Sequence, residues 1–458
     1  MTVIATRPSP ATPRAYRFPV LSRWQDAGIS IIAADLPGRS VASIGLLIAD
    51  GIKDEPLEFA GLTQLTARVL SDGTANYDVE EYSQAIERLG VNVGVSAGWS
   101  TINFNLTGPV ERLAAGSELL AESLFTPRLE AETILHRRHE RVEQQRTQSS
   151  RQGTRANSAI RRVLYAPTER HSRSESGDEV TNAGLEPEQV YALHAQWLTR
   201  PRALVVAGDL ARVNLDAIVA RLSVGVGAEL WQAPESQQLP VRAERRRTLL
   251  IDRPGAAQST VLIAHRGPLN SDPDFAALNA VGNVLGGSFN SRLNHQLRQV
   301  KGYTYGASGS FNMGGDSGAL RASAEVRTDA TAPAVADAVN EILRLQRDGV
   351  TDAEGHDALM YLIGSFATSL ETPYAIGNAA RMIVTQGLPD DHHTRLREQY
   401  AALTTGDLNT AATRHIDAER LAVVIEGDLA TFSAELDEAL LGEATVVTAD
   451  QLNGYDEL

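Results

Sequence analysis

At 458 residues, 43% hydrophobic and 22% charged, the chain is long enough for two cores of about 200 residues each, and its composition excludes collagen-like, mucin-like and disordered classes. A formal net charge of -15 opposes nonspecific attraction to nucleic acid, so no nucleic-acid partner is expected. With no cysteine there can be no disulfide, thiolate metal site or cysteine nucleophile, which fits a reducing compartment, the cytoplasm by default.

The opening stretch, Met1 to Tyr16, lacks the apolar run of about 7 to 15 residues that a secretory signal needs and reads as a loose tail. No window reaches the roughly 18 to 20 continuous apolar residues of a membrane span, so no membrane partner is expected. Ile31 to Gly51 reads as a strand, an Asp-x-Pro-Gly turn at Gly38, then a longer strand, followed by a helix over Gly61 to Thr74. Val91, Val93 and Val95, then Ile102, Phe104 and Leu106, alternate with polar residues, the sign of two half-buried strands. A helix follows Pro109. Arg137, Arg138 and Arg141 read as a solvated helix face. His136 and His139 lie three apart in the same run but match no zinc-peptidase order, and the His392-His393 pair has no ligand spacing.

A short apolar strand ends in Gly-Asp-Leu at Gly208, and the stretch from Val224 is rich in Gly, Pro, Gln and charge, as a linker is. Arg242, Arg245, Arg246 and Arg247 belong to this linker composition. Leu249 to Gly267 then repeats the strand, turn and strand of Ile31 to Gly51, with Gly255 in the place of Gly38, and Gly427 later repeats Gly208. Both anchors are offset by roughly 217 to 219 positions, which indicates a duplicated domain. The second half continues with alternating strands and a helix from Pro333 closing on Gly349. Residues 442–458 are polar and acidic and are expected to fray. The expected class is α+β, two homologous domains at 24–222 and 248–440 joined by a linker at 223–247, each a mainly antiparallel sheet covered by helices.

The most specific run is GGSFNSRLNHQLRQVKGYTYGASGSF, Gly286 to Phe311. Gly286-Gly287 lacks the P-loop ending and the GxGxxG spacing, so helix-turn packing explains it better than a phosphate cradle. The run resembles the C-terminal-domain signature of pitrilysin-type (insulinase-like) zinc peptidases and of the related processing-peptidase and respiratory core subunits, and the duplicated layout resembles theirs over about residues 24–440. The resemblance implies a clam-like half-shell in which Arg298 and Tyr305 contact substrate at a zinc centre. Their chemistry suits that role: a guanidinium is a permanent planar fork of donors, and a phenol can donate to an oxygen that becomes negative as water attacks a carbonyl.

Active members of the family carry His-x-x-Glu-His on a helix, with two imidazoles for zinc and a glutamate to activate water. The matching helix here places Gln64, Ala67 and Arg68 at those positions: a poor ligand, a residue that cannot be a base, and a fixed positive charge. A distal glutamate ligand would fall near Glu143, which reads as a surface residue. The resemblance therefore implies a zinc-free subunit, silent alone, with no cofactor of its own. A zinc-bearing homologue would complete a heterodimer acting on peptides, this chain adding Arg298 and Tyr305. The alternative is a structural or peptide-binding subunit with no part in hydrolysis, and a homodimer stays open.

Overall fold

The computed structural model describes residues 15–149, 151–234, 239, 245–448 and 451–452; Met1 to Arg14 and Arg242 lie outside them. Two six-stranded sheets form. The first runs in the order Leu21–Asp26, Ile29–Asp35, Arg202–Gly208, Val41–Ile48, Ile102–Pro109, Asn92–Ala97. The second runs Ala444–Val447, Arg247–Asp252, Ala422–Gly427, Gln258–Arg266, Gly318–Arg327, Thr304–Met313. Most neighbours are antiparallel; the parallel pairs are Ile29–Asp35 with Arg202–Gly208, and Arg247–Asp252 with both Ala422–Gly427 and Ala444–Val447. The fold is α+β with two homologous halves.

The repeat extends to single bonds. Gly38 and Gly255 both take a left-handed turn conformation, φ +77° and +73°, open to glycine without a Cβ penalty. Asp35 Oδ1 accepts from Leu210 N at 3.1 Å, and Asp252 Oδ1 accepts from Leu429 N at 3.2 Å, so each half ties its Gly-Asp-Leu corner to its first repeated strand in the same way. A β-carbon on Gly208 would lie 2.2 Å from Ala42 Cβ and one on Gly427 2.2 Å from Ser259 Oγ, which accounts for glycine at both strand ends.

Each sheet has its own helices on one face: Leu113–Phe125 and Leu215–Leu222 bury Leu120, Leu124 and Ile218 against Ile44, Leu46 and Phe104 of the first. The opposite faces are closed by exchange. Thr154–Leu164, from the first half, buries Ala156, Ile160 and Val163 against Leu249, Leu262 and Val424 of the second sheet. Pro373–Gln386, from the second half, packs Ile376, Ala380 and Ile383 with Leu47, Val205 and Ala207 of the first. An apolar sheet face must be covered on both sides to leave water, and here each half covers the other. Glu426, 0% exposed, locks one crossing by accepting from Gly153 N and Ala156 N, both at 3.1 Å, at the start of the exchanged helix.

Two expectations change. The C-terminal stretch does not simply fray: Ala444–Val447, with three β-branched residues, adds a parallel edge strand to Arg247–Asp252, although 449–450 and 453–458 lie outside the described residues. The helix expected over Gly61 to Thr74 is only Leu62–Val69, because Gly73 turns at φ +117° and Thr74 bridges to Pro127. No helix among the described residues is long and apolar enough to cross a membrane.

Candidate functional site

The short helix Leu62–Val69 is positioned by a buried ion pair. Glu55, its side chain 1% exposed, accepts from Gly61 N at 3.0 Å and Thr63 N at 2.7 Å, satisfying two free N–H groups of the helix start. The same carboxylate takes Arg170 Nε at 2.9 Å and Nη2 at 2.7 Å. On the helix so held, Gln64, Ala67 and Arg68 fall at i, i+3 and i+4, one face, as two ligands and a base would require.

That face lines a cleft of about 440 Å³, whose other walls are the helix Ala131–Ser149 and the edge strand Asn92–Ala97. Gln64 Oε1 already accepts from Arg141 Nη2 at 2.7 Å. Ala67 is 3% exposed and offers only a methyl group. Arg68 Nη1 lies 3.1 Å from Asp72 Oδ1. Zinc takes about four N, O or S donors, whereas guanidinium groups offer only N–H donors and positive charge. The residues do not fit the metal, and the Arg141 cation lies hydrogen-bonded to Gln64, the first position of the motif.

Glu143 points elsewhere, exposed and paired with Arg146 Nη1 at 2.6 Å, while Glu140 lines the cleft. The arginines expected on a solvated face are engaged instead. Arg137 forks onto Asp72 at 2.6 and 2.8 Å and reaches Glu140 at 2.7 Å. Arg138 donates to Leu185 O at 2.7 Å. Burial lowers the Arg141 guanidinium to about 10, opposed by the Glu55 charge, so it stays protonated at neutral pH. Sequence reasoning placed Arg141 on a solvated face and gave Glu140 no role; the helical spacing of Arg137, Arg141, Gln144 and Gln148 carried the signal. The linker arginines are bonded too: Arg245 pairs with Glu443, and Arg246 donates to Ala418 O. His136, exposed, pairs with Glu140, and His392 and His393 stack edge to face with ring centroids 5.2 Å apart.

In the second half, the Gly286 to Phe311 run divides into structural and uncommitted residues. It forms two wide π-type turns, Asn283–Gly287 and Asn294–Val300, leading into Thr304–Met313. Asn294 clasps the strand, donating to Ala307 O at 2.8 Å and accepting from Ala307 N at 3.0 Å. Arg292 forks onto Glu354 at 2.7 and 2.8 Å and reaches Gly349 O at 2.7 Å. A β-carbon on Gly286 would lie 2.0 Å from Gly309 N, so the paired glycines serve close packing. Gly286→Ala is expected to cost about 1 to 3 kcal/mol by overpacking, read as a lower urea midpoint; an unchanged midpoint would refute that role.

Arg298 and Tyr305 are the uncommitted pair. Arg298 lies over the ring of Phe289, 4.6 Å from its centroid, with no carboxylate partner among the described residues. Tyr305 is 89% exposed, and Phe289 and Val300 in the same segment are 62% and 57% exposed. Neither Arg298 nor Tyr305 lines the cleft over Gln64, so within one chain the two sets of predicted residues are not brought together.

One further trio has ligand-type atoms within 4.8 Å of one another, Asp272, Asp274 and His415. Arg414 Nη1 already donates to Asp274 Oδ2 at 2.7 Å, and His415 Nε2 lies 2.9 Å from the same oxygen, so partners within the chain already engage the cluster.

Family models of known proteins match both halves of the chain. The model described as Insulinase (Peptidase family M16) matches residues 30–175, and the model described as Peptidase M16 inactive domain matches 184–362. The chain belongs to peptidase family M16. An uncharacterized zinc protease of Mycobacterium tuberculosis is 24% identical over 431 residues, 92% of this chain and 96% of that protein. Another of Bacillus subtilis is 20% identical over 349 residues, 75% of this chain and 83% of that protein. Among solved structures, a peptidase M16 inactive domain from Pseudomonas fluorescens superposes with TM-score 0.81 at 21% identity, covering 89% of this chain and 97% of that one. A protease from Helicobacter pylori gives TM-score 0.79 at 17% identity, covering 90% of this chain and all of that one. Both share the fold of this M16 chain.

Proposed function

We propose that this M16 chain is the zinc-free subunit of a two-subunit peptidase, supplying Arg298 and Tyr305 to a peptide held at zinc by a homologous partner. The observation that carries the reading is the contrast between its halves. The three metal-site positions hold Gln64, Ala67 and Arg68, with Gln64 bonded to Arg141, while Arg298 and Tyr305 keep their donors free of carboxylate partners in the described chain. A surface tyrosine and a stacked arginine, both free of carboxylate partners among the described residues, suit a substrate oxygen supplied from outside this chain. Asn92–Ala97 is an edge strand, so an extended peptide can add to it through main-chain hydrogen bonds. The cytoplasm suits a chain with no cysteine.

The test is a peptide-cleavage assay with zinc quantification on this chain, on its zinc-bearing homologue from the same cell, and on the two mixed. Cleavage confined to the mixture, with zinc on the homologue, is the expected result. Stoichiometric zinc and cleavage by this chain alone would overturn the proposal. No gain on mixing would favour a structural or peptide-binding subunit.

A further inference from the structure

The cleft over Gln64 carries more positive than negative charge. Arg68, Arg137 and Arg141 line it against the single carboxylate Glu140. The buried Asp72, 2% exposed, bonds to both Arg68 and Arg137, and Arg137 also reaches Glu140, so two carboxylates face three guanidinium groups. Arg141 is left without a carboxylate partner among the described residues. Its Nη2 donates to Gln64 Oε1 at 2.7 Å and to Ser176 O at 3.4 Å. Its Nε is buried with no acceptor, and its Nη1 makes no hydrogen bond among the described residues. A partly desolvated cation with idle donors is unfavourable unless an acceptor completes it, and a carboxylate matches a guanidinium fork better than a neutral carbonyl does. Beside it, Val95, Ser96 and Ala97 of the edge strand line the same cleft, and that strand pairs on one side only, with Ile102–Pro109.

We propose that this cleft is a carboxylate-binding subsite for a peptide: Arg141 receives the carboxylate, Gln64 holds the guanidinium in place, and the free edge of Asn92–Ala97 takes the adjoining backbone. The position that holds a cation in zinc-bearing relatives thus becomes a receptor for an anion. The carboxylate comes from a peptide C-terminus or from an Asp or Glu side chain. This goes beyond the shared-zinc reading, because it concerns the chain alone and needs no metal.

The experiment is calorimetric titration of the full chain with one extended, otherwise uncharged hexapeptide in three forms: free C-terminal acid, C-terminal amide, and amide carrying one internal Glu. At least one carboxylate form is expected to bind roughly 10- to 100-fold more tightly than the plain amide, and the form that does so identifies the source. Arg141→Gln is expected to bring all three forms together, and Arg141→Lys, which keeps the charge without the fork, to retain part of the preference. Equal binding of the three forms to the unaltered chain, no binding at all, or undiminished discrimination by Arg141→Gln overturns the proposal. The comparison on the unaltered chain stands even if a variant fails to fold. Because no zinc-bearing partner is present, failure here leaves the shared hydrolytic site untouched, and failure of that site leaves these titrations interpretable.

Discussion

Glu55→Ala is expected to lower the unfolding free energy by about 3 to 5 kcal/mol, the range for removing one partner of a buried ion pair. Arg170, its side chain 4% exposed, would keep two further bonds, to Ser174 O and Glu175 O, but lose its one carboxylate partner among the described residues. The N–H groups of Gly61 and Thr63 would lose their acceptors in the same step, orphaning the start of the helix that carries Gln64, Ala67 and Arg68. Glu55→Gln keeps the volume but turns an amide NH2 toward these donors, so it should also destabilise, by less. Urea unfolding with an unchanged slope is the measurement, and the exposed pair Arg128–Glu130 is the control whose removal leaves the midpoint where it was. A loss below about 1 kcal/mol for Glu55→Ala would show that neighbouring groups replace the carboxylate.

In the mixed-subunit assay, Tyr305→Phe is expected to lower kcat by about 10²- to 10³-fold, as removal of a donor to a developing oxyanion does elsewhere. Arg298→Ala should act on KM as well as kcat, since a guanidinium grips substrate in the ground state too. Folding does not confound these losses: Tyr305 is 89% exposed, and Arg298 stacks on the surface ring of Phe289 with no carboxylate partner among the described residues. Thermal midpoints of both variants should match the parent chain. Arg292→Ala gives the opposite pattern, because its fork on Glu354 and Gly349 O makes it structural, and the midpoint should fall. Full activity in both Tyr305→Phe and Arg298→Ala would remove these residues from the hydrolytic site and leave a structural subunit.

The two families of prediction differ in how far they could be seen in the sequence. Duplication was legible because it rests on local chemistry: Gly38 and Gly255 in Asp-x-Pro-Gly turns, and alternation at Ile102, Phe104 and Leu106. The misfit of zinc was legible for a similar reason, since Gln64, Ala67 and Arg68 lack the donor atoms in any fold. Only the tertiary structure decided what meets these positions, because Arg141 reaches Gln64 across 77 positions, and Glu55 meets Arg170 across 115. Only it showed that each half covers the other's sheet, with Glu426 capping a helix 273 positions away at Gly153. Periodicity says that a face is apolar or a residue charged; which surface buries that face, and which charge meets that residue, depends on long-range packing that no local pattern encodes.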